Sequence, residues 1–132
     1  MKPTRTANSP IANKNILIID DDKGLLRILS SNLETEGCKV LVAETGEEGL
    51  KIAQAEKPDI ILLDVILPGL KGREVCAQLK ENRDTKDIPV IFLTAKDSPD
   101  DVKAEMEIGA VAHLTKPVDS RKLVAEIKHI LR

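Results

Sequence analysis

Four stretches of this 132-residue chain end an apolar run close to a residue that can do chemistry. The run at 16–19 leads into Asp20, Asp21 and Asp22, the run at 60–63 into Asp64, and the run at 90–93 into Thr94. A shorter one at 112–114 is followed by Lys116. Gathered in one place, these groups would be electrostatically unfavourable. Two carboxylates about 4 Å apart repel by roughly 4 kcal/mol at an effective dielectric near 20, and a third adds to this. Lys116 can neutralise one charge. A hard divalent cation would balance the rest, and an oxygen-only, mostly carboxylate site that keeps waters suits Mg²⁺. The same ion serves phosphoryl chemistry by spreading charge over the transferring oxygens. One carboxylate then remains as a nucleophile and forms an aspartyl phosphate. Thr94 would donate a hydrogen bond to one phosphoryl oxygen and Lys116 would pair with another.

What could bring these residues together is a parallel sheet. Short continuous apolar runs rich in branched residues suit strands covered on both faces. The blocks at 16–19, 60–63 and 90–93 have this character, 40–43 is weaker, and 112–114 is the expected edge strand. Between them the spacing becomes helical. Leu25, Leu29 and Leu33 mark a first helix, capped by Asp22 and ended by Gly37. Leu50 and Ala53 mark a second, opened by Thr45 with Glu48 as a capping box. Val75 and Leu79 mark a third, and Val102 and Met106 a fourth stopped by Gly109. Leu123, Ile127 and Ile130 mark a fifth, capped by Asp119. Strict β/α alternation implies right-handed crossovers with helices on both faces. A closed eight-unit barrel would need roughly 250 residues. The fold class is therefore α/β, an open doubly wound parallel five-stranded sheet of (βα)5 type. In such a sheet all strands end along one edge, where ligands bind at the point of strand-order reversal.

Composition narrows the function further. A hydrophobic fraction of 42% with 32% charged residues fits one soluble globular domain. Twenty basic against 22 acidic residues give no reason to expect a nucleic-acid surface. No apolar run approaches the roughly 20 residues that cross a bilayer. Residues 1–14 are polar, broken by Pro3 and Pro10, and read as a flexible tail without a signal-peptide core, leaving 15–132 as the domain. Cys38 and Cys76 are then expected to be reduced packing residues in the cytoplasm. With no Trp, no Tyr and one Phe, aromatic stacking platforms are disfavoured.

The ordered set Asp20-Asp21, Asp64 with Pro68 and Gly72 downstream, Thr94-Ala95 and Lys116-Pro117 resembles the receiver domain of two-component response regulators. The resemblance covers about residues 15–131. It implies strand order 2-1-3-4-5, with Asp64 as phosphoacceptor from a histidine kinase or phosphotransfer protein. It also implies Mg²⁺ held by Asp20, Asp21, Asp64 and the backbone carbonyl of Ile66. Thr94 would be the hydroxyl that moves toward the phosphoryl group, and Lys116 its ion-pair partner. A cis Lys116–Pro117 bond is implied as well. The implied chemistry is Mg²⁺-dependent self-phosphorylation with slow hydrolysis, in a monomer or phosphorylation-dependent dimer. A downstream protein would be contacted through the fourth helix, fifth strand and fifth helix, without nucleic-acid or membrane binding.

This chain departs from the family pattern in places. His113 stands where the family commonly has Tyr or Phe, and Val118 where Phe is frequent; Ile66 and Lys96 occupy positions that tune phosphoryl lifetime. His113 is read first as a half-exposed edge residue and second as a switch. The charges at Lys103, Glu105, Lys122 and Glu126 are read first as a solvated face. Competing functions are a flavodoxin-like small-molecule or flavin carrier and a receiver segment of a longer regulator or hybrid kinase. Asp64-Val65-Ile66 lacks the Asp-x-Asp pair of haloacid-dehalogenase-type phosphatases.

Overall fold

In a computed structural model, residues 9–95 and 98–131 are described. Five strands alternate with five helices: β1 (Asn15–Ile19), α1 (Lys23–Thr35), β2 (Lys39–Ala43), α2 (Gly46–Glu56), β3 (Ile60–Asp64), α3 (Gly72–Glu81), β4 (Val90–Thr94), α4 (Pro99–Ile108), β5 (Ala112–Thr115) and α5 (Ser120–Leu131). All four strand pairs are parallel and the order is β2-β1-β3-β4-β5. The strand order and fold class match the expectation.

Period-two alternation along the strands divides the core. Ile16, Ile18, Ile60, Leu62, Ile91 and Leu93 pack on one face with Leu29, Leu33, Leu123 and Ile127 of α1 and α5. Leu17, Ile19, Ile61, Leu63 and Phe92 pack on the other with Ala53, Val75 and Leu79 of α2 and α3. The weaker 40–43 block is the second edge strand, and Val42 is exposed on it.

Local signals set the helix ends. Asp22 accepts from the Leu25 amide at 3.1 Å, Thr45 from Glu48 at 3.1 Å and Asp119 from Arg121 at 2.9 Å. Gly37, at φ 88°, closes α1 in a Schellman motif, with its amide on the Glu34 carbonyl and that of Cys38 on Leu33.

Three expectations are corrected. The ordered domain begins before Asn15: Ile11 is fully buried in the α1/α5 core, and Ser9 donates to Glu36 Oε1 at 3.0 Å. One apolar side chain with a pocket to fill is enough to order a polar stretch. Residues 1–8 of the expected tail lie outside the described residues, as do Lys96 and Arg132. On α4 the inward stripe runs through Val102, Glu105 and Ile108 at three-residue spacing, leaving Met106 exposed. Glu105 is therefore completely buried and not part of a solvated face.

Candidate functional site: an acidic crevice at the strand ends

Parallel pairing brings the ends of β1, β3, β4 and β5 to one edge. Asp64 and Thr94 are the last residues of their strands, in register with Leu93 and Thr115. Asp20 follows β1 directly, and Lys116 follows β5. The Lys116 amide donates to the Thr94 carbonyl at 2.8 Å, joining two of these ends through the backbone. The chain leaves β1 for β2 and then crosses back to β3 on the other side, so the crevice lies at the strand-order reversal. The Lys116–Pro117 bond is cis.

Asp20, Asp21 and Asp64 each present a carboxylate oxygen, and these atoms lie within 4.8 Å of one another. Asp20 and Asp64 are buried, as is Thr94, whereas Asp21 faces solvent. Lys116 Nζ reaches Asp20 Oδ2 at 2.8 Å and Asp64 Oδ2 at 3.2 Å. The remaining oxygens of both buried acids are held by amides: Asp22 donates to Asp20 Oδ1 at 2.9 Å and Ile66 to Asp64 Oδ1 at 3.2 Å. Both carboxylates are thus oriented by two contacts each.

Gly72 makes room for this geometry. A Cβ there would stand 2.0 Å from the Asp64 carbonyl oxygen, so α3 can start against the end of β3 only with glycine. Its amide bonds the Val65 carbonyl at 3.0 Å.

Three acids against one ammonium leave the crevice negative. Burial pushes the Asp64 carboxyl above its ordinary value, and the charge of Asp20 pushes it further, against the opposing pull of Lys116 and the Ile66 amide. Burial draws the Lys116 ammonium down, but the hydrogen bond and charge of Asp20, with the charge of Asp64, outweigh it and leave the group raised. Three hard oxygen donors with residual negative charge and an open side fit a divalent cation. Ile66 lies two residues beyond Asp64 with its side chain exposed, beside the crevice.

Residues 16–128 match the family model described as the response regulator receiver domain. The chain belongs to that family.

The receiver is 46% identical over 120 residues to the alkaline phosphatase synthesis transcriptional regulatory protein PhoP of Bacillus subtilis (strain 168), covering 91% of this chain and 49% of the relative. It thus spans about half the length of that curated relative. Its structure is similar to a CheY-like receiver domain protein from Methanospirillum hungatei JF-1, with TM-score 0.84, 33% identity, and coverage of 91% of this chain and 94% of that one. It also resembles the Mn(2+)-bound form of response regulator Rcp1, with TM-score 0.74, 33% identity and coverage of 89% and 91%. The flavin-carrier reading falls away with these matches.

Of the residues anticipated for the site, Asp20, Asp21, Asp64, Thr94 and Lys116 meet at this rim. His113 does not. It sits opposite Phe92 within the sheet, its side chain only 9% exposed, with Nδ1 2.6 Å from Glu105 Oε1. The half-exposed edge reading of His113 is corrected accordingly: α4 covers the strand there and supplies a carboxylate. Arg73 of α3 joins the same cluster through Glu105 Oε2 at 3.3 Å. A charged residue placed on an apolar stripe of α4 was the signal available for this arrangement.

Cys38 and Cys76 are free, buried and pushed up to about 11 by desolvation, which keeps them as thiols and fits packing residues. No helix among the described residues is long and apolar enough to cross a membrane.

Proposed function

We propose that Asp64 accepts a phosphoryl group from a phosphohistidine on a histidine kinase or phosphotransfer protein. In the step, an Asp64 carboxylate oxygen attacks phosphorus while the bond from phosphorus to the partner's imidazole nitrogen breaks. The electron pair returns to the imidazole, and the product is an acyl phosphate on Asp64. The observation that carries this reading is the convergence of three carboxylate oxygens within 4.8 Å beside an ammonium that touches two of those residues.

Asp20, Asp21, Asp64 and the carbonyl of Ile66 would hold Mg²⁺, which when bound offsets negative charge on the acids and the incoming phosphoryl oxygens. The Ile66 amide and Lys116 fix the nucleophile's orientation before transfer. Once the phosphoryl group is in place, Lys116 can exchange an Asp64 contact for a phosphoryl oxygen, and the Thr94 hydroxyl can donate to another. Exposed Asp21 leaves a water path to the crevice, which supports slow self-hydrolysis.

Phosphorylation would shift a two-state equilibrium on the Thr94 side and change affinity for a protein target at the face of α4, β5 and α5. We place this chemistry in the cytoplasm, with a monomer or a phosphorylation-dependent dimer, in a receiver unit that includes the Ser9–Lys14 segment packed ahead of β1. The test is incubation with a small phosphodonor such as phosphoramidate. The expected result is Mg²⁺-dependent incorporation of one phosphoryl group, abolished by chelation and in Asp64→Asn. Undiminished incorporation in that variant would overturn the assignment.

A further inference from the structure

α4 is anchored unlike its neighbours. α1, α3 and α5 each bury two or more branched aliphatic side chains, Leu29 and Leu33, Val75 and Leu79, Leu123 and Ile127. The buried residue of α4 is Glu105, with no exposed surface, while Met106 beside it faces solvent. In apolar terms the helix has little holding it down, with Val102 and Ile108 only half-buried. Its fixed point is ionic.

Glu105 joins three elements. Its Oε2 accepts from Arg73 Nη2 of α3 at 3.3 Å, and its Oε1 pairs with His113 Nδ1 of β5 at 2.6 Å. Arg73 Nη2 also reaches Asp101 Oδ1 at 3.1 Å, one turn earlier on α4. A carboxylate without access to water needs such partners, because losing one leaves an uncompensated buried charge. With Glu105 as acceptor, Nδ1 of His113 carries the hydrogen. His113 Nε2 and Arg73 Nε are then buried without a hydrogen-bond partner among the described residues. The cluster is therefore held by strong directional bonds yet incompletely satisfied, which favours discrete closed and open arrangements over gradual loosening. α4 begins at Pro99, five residues beyond Thr94.

We infer that Glu105 is a positioning residue, an ionic latch that clamps α4 against α3 and β5, and that opening of its bond to His113 frees the α4 face. The part of this inference that links opening to the acidic crevice rests on Asp64 being the phosphoacceptor. To move, α4 must exchange these specific partners.

The test is amide hydrogen exchange by NMR on the whole chain, with Glu105→Gln and His113→Phe variants, each with and without Mg²⁺ and beryllofluoride. In the unliganded Glu105→Gln protein, amides of α4 should exchange about tenfold faster while those of α1 and α5 keep their rates. The imidazole ¹⁵N signals of His113 should leave the Nδ1–H pattern, a change that simple loosening of a helix would not produce. Beryllofluoride should bring wild-type α4 exchange toward the Glu105→Gln rate and alter that variant little. Unchanged α4 exchange in Glu105→Gln, or equal acceleration in all five helices, overturns the latch. His113→Phe decides the same question if Glu105→Gln does not fold. A missing bound-fluoride signal in wild type would count against the Asp64 reading, leaving the unliganded rates to judge the latch by themselves.

Discussion

The receiver contains two carboxylate clusters whose charges are balanced in opposite ways. At the rim, Asp20, Asp21 and Asp64 converge, and one ammonium, that of Lys116, pairs with Asp20 and Asp64. Between α3, α4 and β5, Glu105 and Asp101 meet the Arg73 guanidinium and the His113 ring. The first cluster keeps a surplus of negative charge and an open side, so it loses stability when empty and gains it from a cation. In the second, Glu105 is fully buried with a partner on each carboxylate oxygen, so its contribution is to hold elements in place. Crowded like charges and paired unlike charges can thus be told apart by the sign of a single deletion.

The largest effect should come from the paired cluster. Glu105→Ala, measured by urea unfolding, is expected to cost about 3 kcal/mol, because it opens a cavity and leaves buried His113 Nδ1 without its acceptor, while Arg73 keeps Asp101. A loss under roughly 1 kcal/mol would make the two clusters alike. Next is Lys116→Met at the rim, expected to cost about 2 kcal/mol in chelator. Added Mg²⁺ should recover a larger share of stability in this variant than in wild type, since the surplus charge has grown.

Removing an acid from the crowded rim should act in the opposite direction. Asp64→Asn is expected to gain on the order of 1 kcal/mol in chelator at neutral pH. The sign follows from the raised Asp64 carboxyl. The folded state holds this proton more tightly than the unfolded chain, so wild type loses stability as pH rises from the ordinary carboxyl value near 4 through the higher folded value. The variant has no such loss. Urea midpoints should therefore coincide at acid pH and diverge above it, and a variant weaker than wild type at pH 7 would contradict the surplus-charge account. The smallest effect belongs to Asp22→Ala, about 0.5 kcal/mol from the exposed cap on Leu25, with an unaltered Mg²⁺ midpoint in thermal shift.

The rim was legible because its information is local. Each strand is a short apolar run, and the residue that ends it must emerge at the same edge as its counterparts once the strands are parallel. Asp20, Asp64, Thr94 and Lys116 could be placed that way before any coordinates. The second cluster was not, because its partners are 8 and 32 residues from Glu105 and belong to different elements. A glutamate on a helix normally faces water, and only the packing of α4 over β5 makes this one internal. Ile11 was missed for a similar reason. It stands alone between Pro10 and Ala12 with no strand or helix period around it, and the core cluster that accepts it is built by α1 and α5 against the sheet.

That early anchor fixes where the chain enters the domain. Ser9 and Ile11 are tied near the start of β1 and the end of α1, at the pole opposite the strand ends that carry Asp64 and Lys116. An affinity handle or surface tether attached ahead of Ser9 would accordingly leave the acidic rim pointing away from the support. Immobilised receiver should therefore titrate with Mg²⁺ and meet a phosphodonor as it does in free solution.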